Sequence, residues 1–424
     1  MEAGSVMARS SVEGVKLEVR DAPGLRRALL AWYRKHHRKL PWRDSRDPYR
    51  IWVSEIMLQQ TQVATAVPYY ARFLDKFPDV TALARAHRGD VLAAWSGLGY
   101  YRRARHLHEA AGVVVREHAG SVPSDPRAFA ALPGVGRYTL GAVLSMGFGR
   151  SLPVLDGNVA RVFSRLTAAP VTVKRPADAK RLWDLAERLM PRAAGSSRAS
   201  NPPGQWNQAL MELGALVCTP RSPRCGACPV RTHCAAQARG LQHELPPVPG
   251  RRAVERVRRA VACVWDRGRL LVARRQGALL DGLWEPPGVE LSRGDDASMA
   301  LGARLSELGV RVRIADSGRR ERHSITHRLI TVEVWEGDAP QPASRATATR
   351  KWVSPGGEAS LALSALAARL LAGGVSAGAA NGGEPGDSTG RRVRLGVRRK
   401  SRGARAGARA PRGTAKISRA SRRA

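Results

Sequence analysis

Apolar residues recur at helical spacing from Leu25 to about Ala238, and Pro, Gly and Asp cut the pattern into segments. Leu29, Trp32 and Tyr33 place one helix, and Tyr49 to Gln62 another. Phe129 to Met146 reads as helix, tight glycine turn, helix. Strand periodicity is weak throughout this half. At Glu244-Leu-Pro-Pro-Val-Pro-Gly-Arg the composition stops a helix and favours extended backbone. Beyond it the period changes. Val261, Cys263 and Trp265 alternate with smaller residues, Asp266-Arg-Gly is a turn, and Leu270-Leu-Val-Ala-Arg continues as a strand. Ile330, Val332 and Val334 predict another strand, and Trp352-Val353 a short one. Ala297–Leu308 and Leu361–Leu371 read as helices. From Ala372 onward Gly, Ala, Ser and Arg cannot bury enough apolar surface to offset the entropy of ordering.

The pattern therefore predicts a flexible arm over residues 1–20, an all-α domain over 21–240 and a linker over 241–256. A mixed α/β domain over 257–371 and a disordered basic tail over 372–424 follow. A chain of 424 residues has room for two domains and tails. At 43% hydrophobic residues it can build real cores. No apolar run reaches membrane-spanning length, and the first twenty residues lack the order of a signal peptide. A membrane protein is excluded and a secreted one disfavoured, so a cytoplasmic location is expected.

The net charge of +36 points to a polyanionic partner, usually nucleic acid. About +12 of it lies after residue 370, which leaves a basic body as well as a basic tail. The tail is expected to add non-specific, salt-sensitive DNA affinity.

Four of the five cysteines form the array Cys218-x6-Cys225-x2-Cys228-x5-Cys234. Disulfides suit small secreted domains, so metal ligation in a reducing compartment is the better reading. Zinc sites usually pair their ligands closely in two knuckles, whereas here the first gap is wide. A 4Fe–4S cluster is favoured, with zinc the alternative. Cys263 lies apart, in an apolar run, and reads as a packed thiol.

Three further segments carry candidate chemistry. In Leu132-Pro-Gly-Val-Gly-Arg137, Gly134 and Gly136 open a helix and let backbone N–H groups approach a phosphate. Apolar flanks make this a helix-hairpin-helix that binds DNA backbone without reading sequence; a plain tight turn is the alternative. In Val154-Leu-Asp156-Gly-Asn158-Val, Asp156 is either a helix cap or a carboxylate facing a bound nucleotide. In Trp52-Val-Ser-Glu55-Ile-Met-Leu-Gln-Gln60-Thr-Gln62, Glu55 sits among Val53, Ile56, Met57 and Leu58. Poor solvation there favours the protonated carboxyl that a general acid needs.

Together with Gly97-Leu-Gly-Tyr-Tyr-Arg102, these segments resemble the helix-hairpin-helix DNA glycosylases, and within them the adenine DNA glycosylase (MutY) family. The resemblance covers roughly residues 25–355. It implies an all-α helix-hairpin-helix glycosylase domain with an iron–sulfur loop over 218–234, then an α/β Nudix-like domain and the tail. Endonuclease III-like relatives carry a Schiff-base lysine two residues after the second hairpin glycine; here that position is Tyr138. The resemblance thus implies a monofunctional glycosylase that removes adenine mispaired with 8-oxoguanine or guanine in double-stranded DNA.

In that reading Glu55 protonates the extruded adenine at N7, and Asp156 stabilises the oxocarbenium-like sugar, as the second carboxylate does in retaining glycosidases. Tyr138 and Asn158 support the site. Arg43, in Leu40-Pro-Trp-Arg43, and Glu212, in Met211-Glu-Leu-Gly, hold the adenine edge. Gln60 and Tyr100 wedge into the duplex; a core aromatic is the alternative for Tyr100.

The second half resembles the Nudix-like domain with which this family reads 8-oxoguanine. Of the glutamates of a catalytic Nudix box, Gly302-Ala-Arg-Leu-Ser-Glu307-Leu-Gly309 keeps only Glu307, so binding without pyrophosphatase activity is implied. Leu283-Trp284-Glu285-Pro-Pro fits the family's Leu-Trp-Glu-Phe-Pro, with Pro286 in place of the aromatic. Thr326 and His327, in Ile325-Thr326-His327, fall where the family often has Phe-Ser-His; a structural histidine is the alternative. A bacterial-type monomer is expected. The competing readings are an endonuclease III-like glycosylase/lyase and a non-catalytic iron–sulfur protein that binds lesions.

Overall fold

The computed structural model describes residues 17–192, 201–247, 253–277, 280–325, 327–339, 345–355 and 361–378. These belong to one compact unit. The first half is helical: α1 (Ala22–His36), α2 (Pro48–Leu58), α3 (Val63–Lys76), α4 (Val80–Arg85), α5 (Arg88–Ala94) and α6 (Arg102–Glu117) come first. The short α7 (Pro126–Ala130), then α8 (Arg137–Phe148), α9 (Gly157–Leu166), α10 (Pro176–Leu189), α11 (Pro202–Leu216) and α12 (Ala235–Ala238) follow. Aspartates start several of them. The Asp47, Asp79, Asp125 and Asp156 side chains each accept a first-turn N–H, as helix N-caps do.

Trp52, Phe73, Trp95, Phe129, Phe163 and Trp206 are fully buried in a single apolar core. Trp52 and Phe129 meet edge to face at 5.3 Å, which locks α2 against α7. The arm expected over 1–20 joins this core at its end. Leu17 is 3% exposed, and its carbonyl accepts from Arg188 Nη2 at 2.6 Å.

The second half is a seven-stranded sheet in the order β3–β2–β1–β6–β5, with β4 pairing β1 and β7 pairing β2. The strands are β1 (Glu255–Asp266), β2 (Arg269–Arg274), β3 (Trp284–Glu285), β4 (Gly288–Leu291), β5 (Ala315–Ile325), β6 (Arg328–Asp338) and β7 (Arg350–Val353). β1 and β6 run parallel from Glu255↔Arg328 to Trp265↔Asp338. Alternation along β1 sorts its side chains to two faces. Val257, Val261 and Cys263 pack under α14 (Ala365–Gly378), and Ala260, Ala262 and Val264 under α13 (Ala297–Glu307).

The last helix continues past residue 371, so the expected tail is helical as far as Gly378; residues 379–424 lie outside the described residues. Leu283 and Ala362 leave the sheet half and enter the helical core. Beside them the Leu363 carbonyl accepts from Ser96 Oγ at 3.2 Å, and Arg105 pairs with Asp281. No helix among the described residues is long and apolar enough to cross a membrane.

Candidate active site

Helix α2 is apolar on nearly every side, and every residue from Ile51 to Met57 is buried. Glu55 therefore sits inside the protein at 5% exposure. Burial pushes its carboxyl up to about 7, and Asp156 adds to the rise; the Tyr138 hydrogen bond and Arg43 pull the other way. The partner comes from the first turn of α8, where the Tyr138 hydroxyl donates to Glu55 Oε2 at 2.7 Å. Burial, then Glu55 and Asp156, hold that phenol well above its ordinary pKa, so it stays a neutral donor.

Asp156 caps α9 and also lines the cavity that holds Glu55. As the N-cap of α9 its Oδ1 accepts from Val159 N at 2.8 Å, and its Oδ2 accepts from Asn158 Nδ2 at 2.9 Å. Glu55, Tyr138, Asp156, Asn158, Arg43 and Glu212 all line one cavity of about 860 Å³. Gln60 lines it as well, and no lysine does among the described residues.

Glu212, on α11, is 1% exposed. It accepts five hydrogen bonds, from the Arg38 backbone and from the Arg38 and Arg43 guanidiniums. Burial would raise its pKa, but the two arginines outweigh that and hold it at about 2.

Gln60 and Tyr100 share an unusual backbone. Both have positive φ, 59° and 50°, and Tyr100 is 46% exposed. Such φ values cost energy in residues other than glycine and persist only where the surroundings enforce them. Arg103 supplies the enforcement. Its guanidinium donates to the carbonyls of Ile56, Met57 and Gln59 at the end of α2, and to those of Leu98 and Gly99 before Tyr100. The Tyr49–Gln62 helix expected from periodicity ends at Leu58 because this loop turns away there. An Arg103→Met protein is expected to lose about 3 kcal/mol of stability, because several carbonyls lose their donor at once. Urea unfolding measures the loss.

At the hairpin, Gly134 has φ +76° and a Cβ there would lie 2.6 Å from His106, so glycine is required. Around Gly136 nothing lies within 4 Å of a Cβ position, which leaves its backbone open to approach. His327 lies on the β5–β6 turn, with Nε2 3.6 Å from Glu255, and does not line the large cavity. Thr326 lies outside the described residues.

Residues 53–188 match the family model described as HhH-GPD superfamily base excision DNA repair protein. Residues 218–234 match the iron-sulfur binding domain of endonuclease III, and residues 260–373 the NUDIX domain. The adenine DNA glycosylase of Mus musculus is 35% identical over 397 residues, which is 80% of this chain and 75% of the relative. The chain belongs to the adenine DNA glycosylase family. The Rattus norvegicus adenine DNA glycosylase is 38% identical over 327 residues, 65% of this chain and 62% of that one. For the Homo sapiens protein the figures are 43% over 251 residues, 57% and 44%. The chain thus spans less than two thirds of the rat and human proteins.

In this adenine DNA glycosylase family member the four cysteines are half-buried, and Cys228 feels the charge of the other three. Burial pushes the free Cys228 thiol up to about 12. A positively charged iron centre is what makes such thiols thiolates. Arg165 Nη1 stands 3.3 Å from Cys218 Sγ, where it offsets negative charge. Four cysteine sulfurs are a soft donor set suited to iron–sulfur ligation, and with the match of residues 218–234 to an iron-sulfur binding domain the cofactor of this loop is a 4Fe–4S cluster.

Sequence reasoning missed the arginines that hold the site. Arg161 and Arg165 are buried on α9 and tie the cysteine loop to it: Arg161 donates to the Cys218 carbonyl, and Arg165 to the Thr219 and Pro220 carbonyls. Arg161 Nη2 also donates to Asn158 Oδ1 at 2.9 Å. A hydrogen-bonded chain therefore runs from the loop through Arg161 and Asn158 to Asp156. The available signal was two arginines four apart in the apolar run Val159–Leu166, a spacing that sets both on one helix face.

Proposed function

We propose that the chain is a monofunctional glycosylase of base excision repair that hydrolyses the N-glycosidic bond of adenine mispaired with 8-oxoguanine or guanine in duplex DNA. The observation that carries this reading is Glu55, buried and raised to about 7, sharing one cavity with the helix-capping carboxylate of Asp156.

The bond to be cut is unreachable inside a duplex, so the adenosine is extruded into the cavity. Gln60 and Tyr100, on the two loops stapled by Arg103, take the space the base leaves. Arg43, held by Glu212, presents its guanidinium to the adenine edge. Glu55 gives its proton to N7 as the N9–C1′ bond breaks, and the bonding pair leaves with the purine. Asp156 faces the positive charge that develops on the sugar. Water then bonds to C1′ and gives up a proton, which restores Glu55. Tyr138 keeps Glu55 aimed and offers no amine for a Schiff base. The cluster supplies a fixed loop, and no step runs through it. Gly134 and Gly136 seat the DNA backbone, and Thr326 and His327 read the opposite base.

The test is single-turnover release of adenine from a duplex containing A opposite 8-oxoguanine, followed by a strand-scission assay without added base. Adenine release with an intact strand, and no borohydride-trapped adduct, is the expected result. A stable trapped adduct would make the enzyme a lyase and sink the reading.

A further inference from the structure

The sheet half holds a second cavity, of about 380 Å³, between β1, β2, the β3–β4 turn and α13. Its charged lining is Arg259, Arg274, Arg275 and Arg304 against Glu285 and Glu290. Both carboxylates are already engaged. Glu285 is 5% exposed and pairs with Arg259 and, at 2.7 Å, with Arg275. Glu290 pairs with Arg328 at 2.8 Å. A divalent cation needs carboxylate oxygens turned toward it, and Glu285 Oε1 and both oxygens of Glu290 are turned toward guanidiniums.

What is left over is positive. Arg274 is exposed and takes part in no ion pair among the described residues. Arg304 spends one Nη on Glu307, itself mostly exposed. Arg259 is 7% exposed and is spent on Glu285. A cavity lined by four arginines and two glutamates, two cations in excess, is a site arranged for an anion. The planar fork of arginine matches phosphate oxygens in pairs, and the volume falls within the range of small-ligand sites.

We propose that this cavity is a metal-independent phosphate site, in which arginines take the phosphate oxygens directly. The phosphate is either a phosphodiester of the bound DNA or the phosphate of a free nucleotide.

The probe is inorganic pyrophosphate, titrated calorimetrically into the full-length protein in EDTA. Saturable binding is expected, weakened at least tenfold by Arg274→Glu and by Arg304→Glu. Both side chains reach solvent, and thermal melts matching the parent establish that the variants fold. Undamaged duplex then separates the sources. Displacement of pyrophosphate by duplex, with a salt dependence of DNA binding reduced by about one phosphate contact in Arg274→Glu, assigns the site to the DNA backbone. Simultaneous binding of both assigns it to a free nucleotide. No binding in EDTA, binding that requires a divalent cation, or binding indifferent to both substitutions overturns the proposal. Neither arginine lines the Glu55 cavity, so adenine release tests the glycosylase reading separately.

Discussion

Glu55→Gln is expected to cut the single-turnover rate of adenine release by about a thousandfold, within the range that a positioned general acid supplies. The same substitution is expected to stabilise the protein. Burial raises the folded-state pKa of Glu55 from 4.5 to about 7, so the folded chain keeps a proton that the unfolded chain releases across that window. The contribution of Glu55 to stability is therefore intact below pH 4.5 and is lost as pH rises toward 7. The full loss is on the order of 3 kcal/mol at most. Glutamine has no charge to bury, so the advantage of the variant should grow between these two pH values and then level off. In the parent, the excision rate should fall about tenfold per pH unit above 7, once the acid is ionised. A parental rate in Glu55→Gln, or a rate flat from about pH 6 to 9, would remove Glu55 as the acid.

Why Glu55 could be singled out from sequence, and Arg103 could not, is a matter of range. The apolar neighbours of Glu55 on its own helix already determine its solvation, and they are visible within four residues. Arg103 acts on carbonyls 44 to 47 residues away, and nothing in the local pattern marks a carbonyl as needing a donor. The same contrast divides the sheet half. β1, β2, β6 and β7 carry alternating or continuous apolar residues and were legible as strands. β5 reads Ala-Asp-Ser-Gly-Arg-Arg-Glu-Arg-His-Ser-Ile, with no apolar alternation, and it is the sheet edge, where charged side chains guard unpaired backbone. Its pairing with β6 is set by a tertiary partner rather than by its own pattern. The glycine hairpin and cysteine array were readable because both are local, whereas Arg43 and Glu212 lie about 170 residues apart and entered only through the resemblance, and their partner Arg38 was missed.

Asp156→Asn should separate the two duties of that side chain. Asparagine caps a helix as well as aspartate does, so thermal unfolding should move by less than about 0.5 kcal/mol. Excision should nevertheless fall at least a hundredfold, the typical loss when one preorganised electrostatic group at a charged transition state is removed. A second consequence is specific to this geometry. Asp156 is one of the groups that raise Glu55, so neutralising it should move the alkaline fall of the rate profile to lower pH. A structural lesion alone would lower the rate without moving the profile. Arg161→Met attacks the same carboxylate from behind. It releases Asn158 and loosens the cysteine loop, so it should cost both stability and rate while leaving the midpoint of the profile nearer the parental value. If Asp156→Asn excises adenine at the parental rate, Asp156 serves α9 as its N-cap and nothing more.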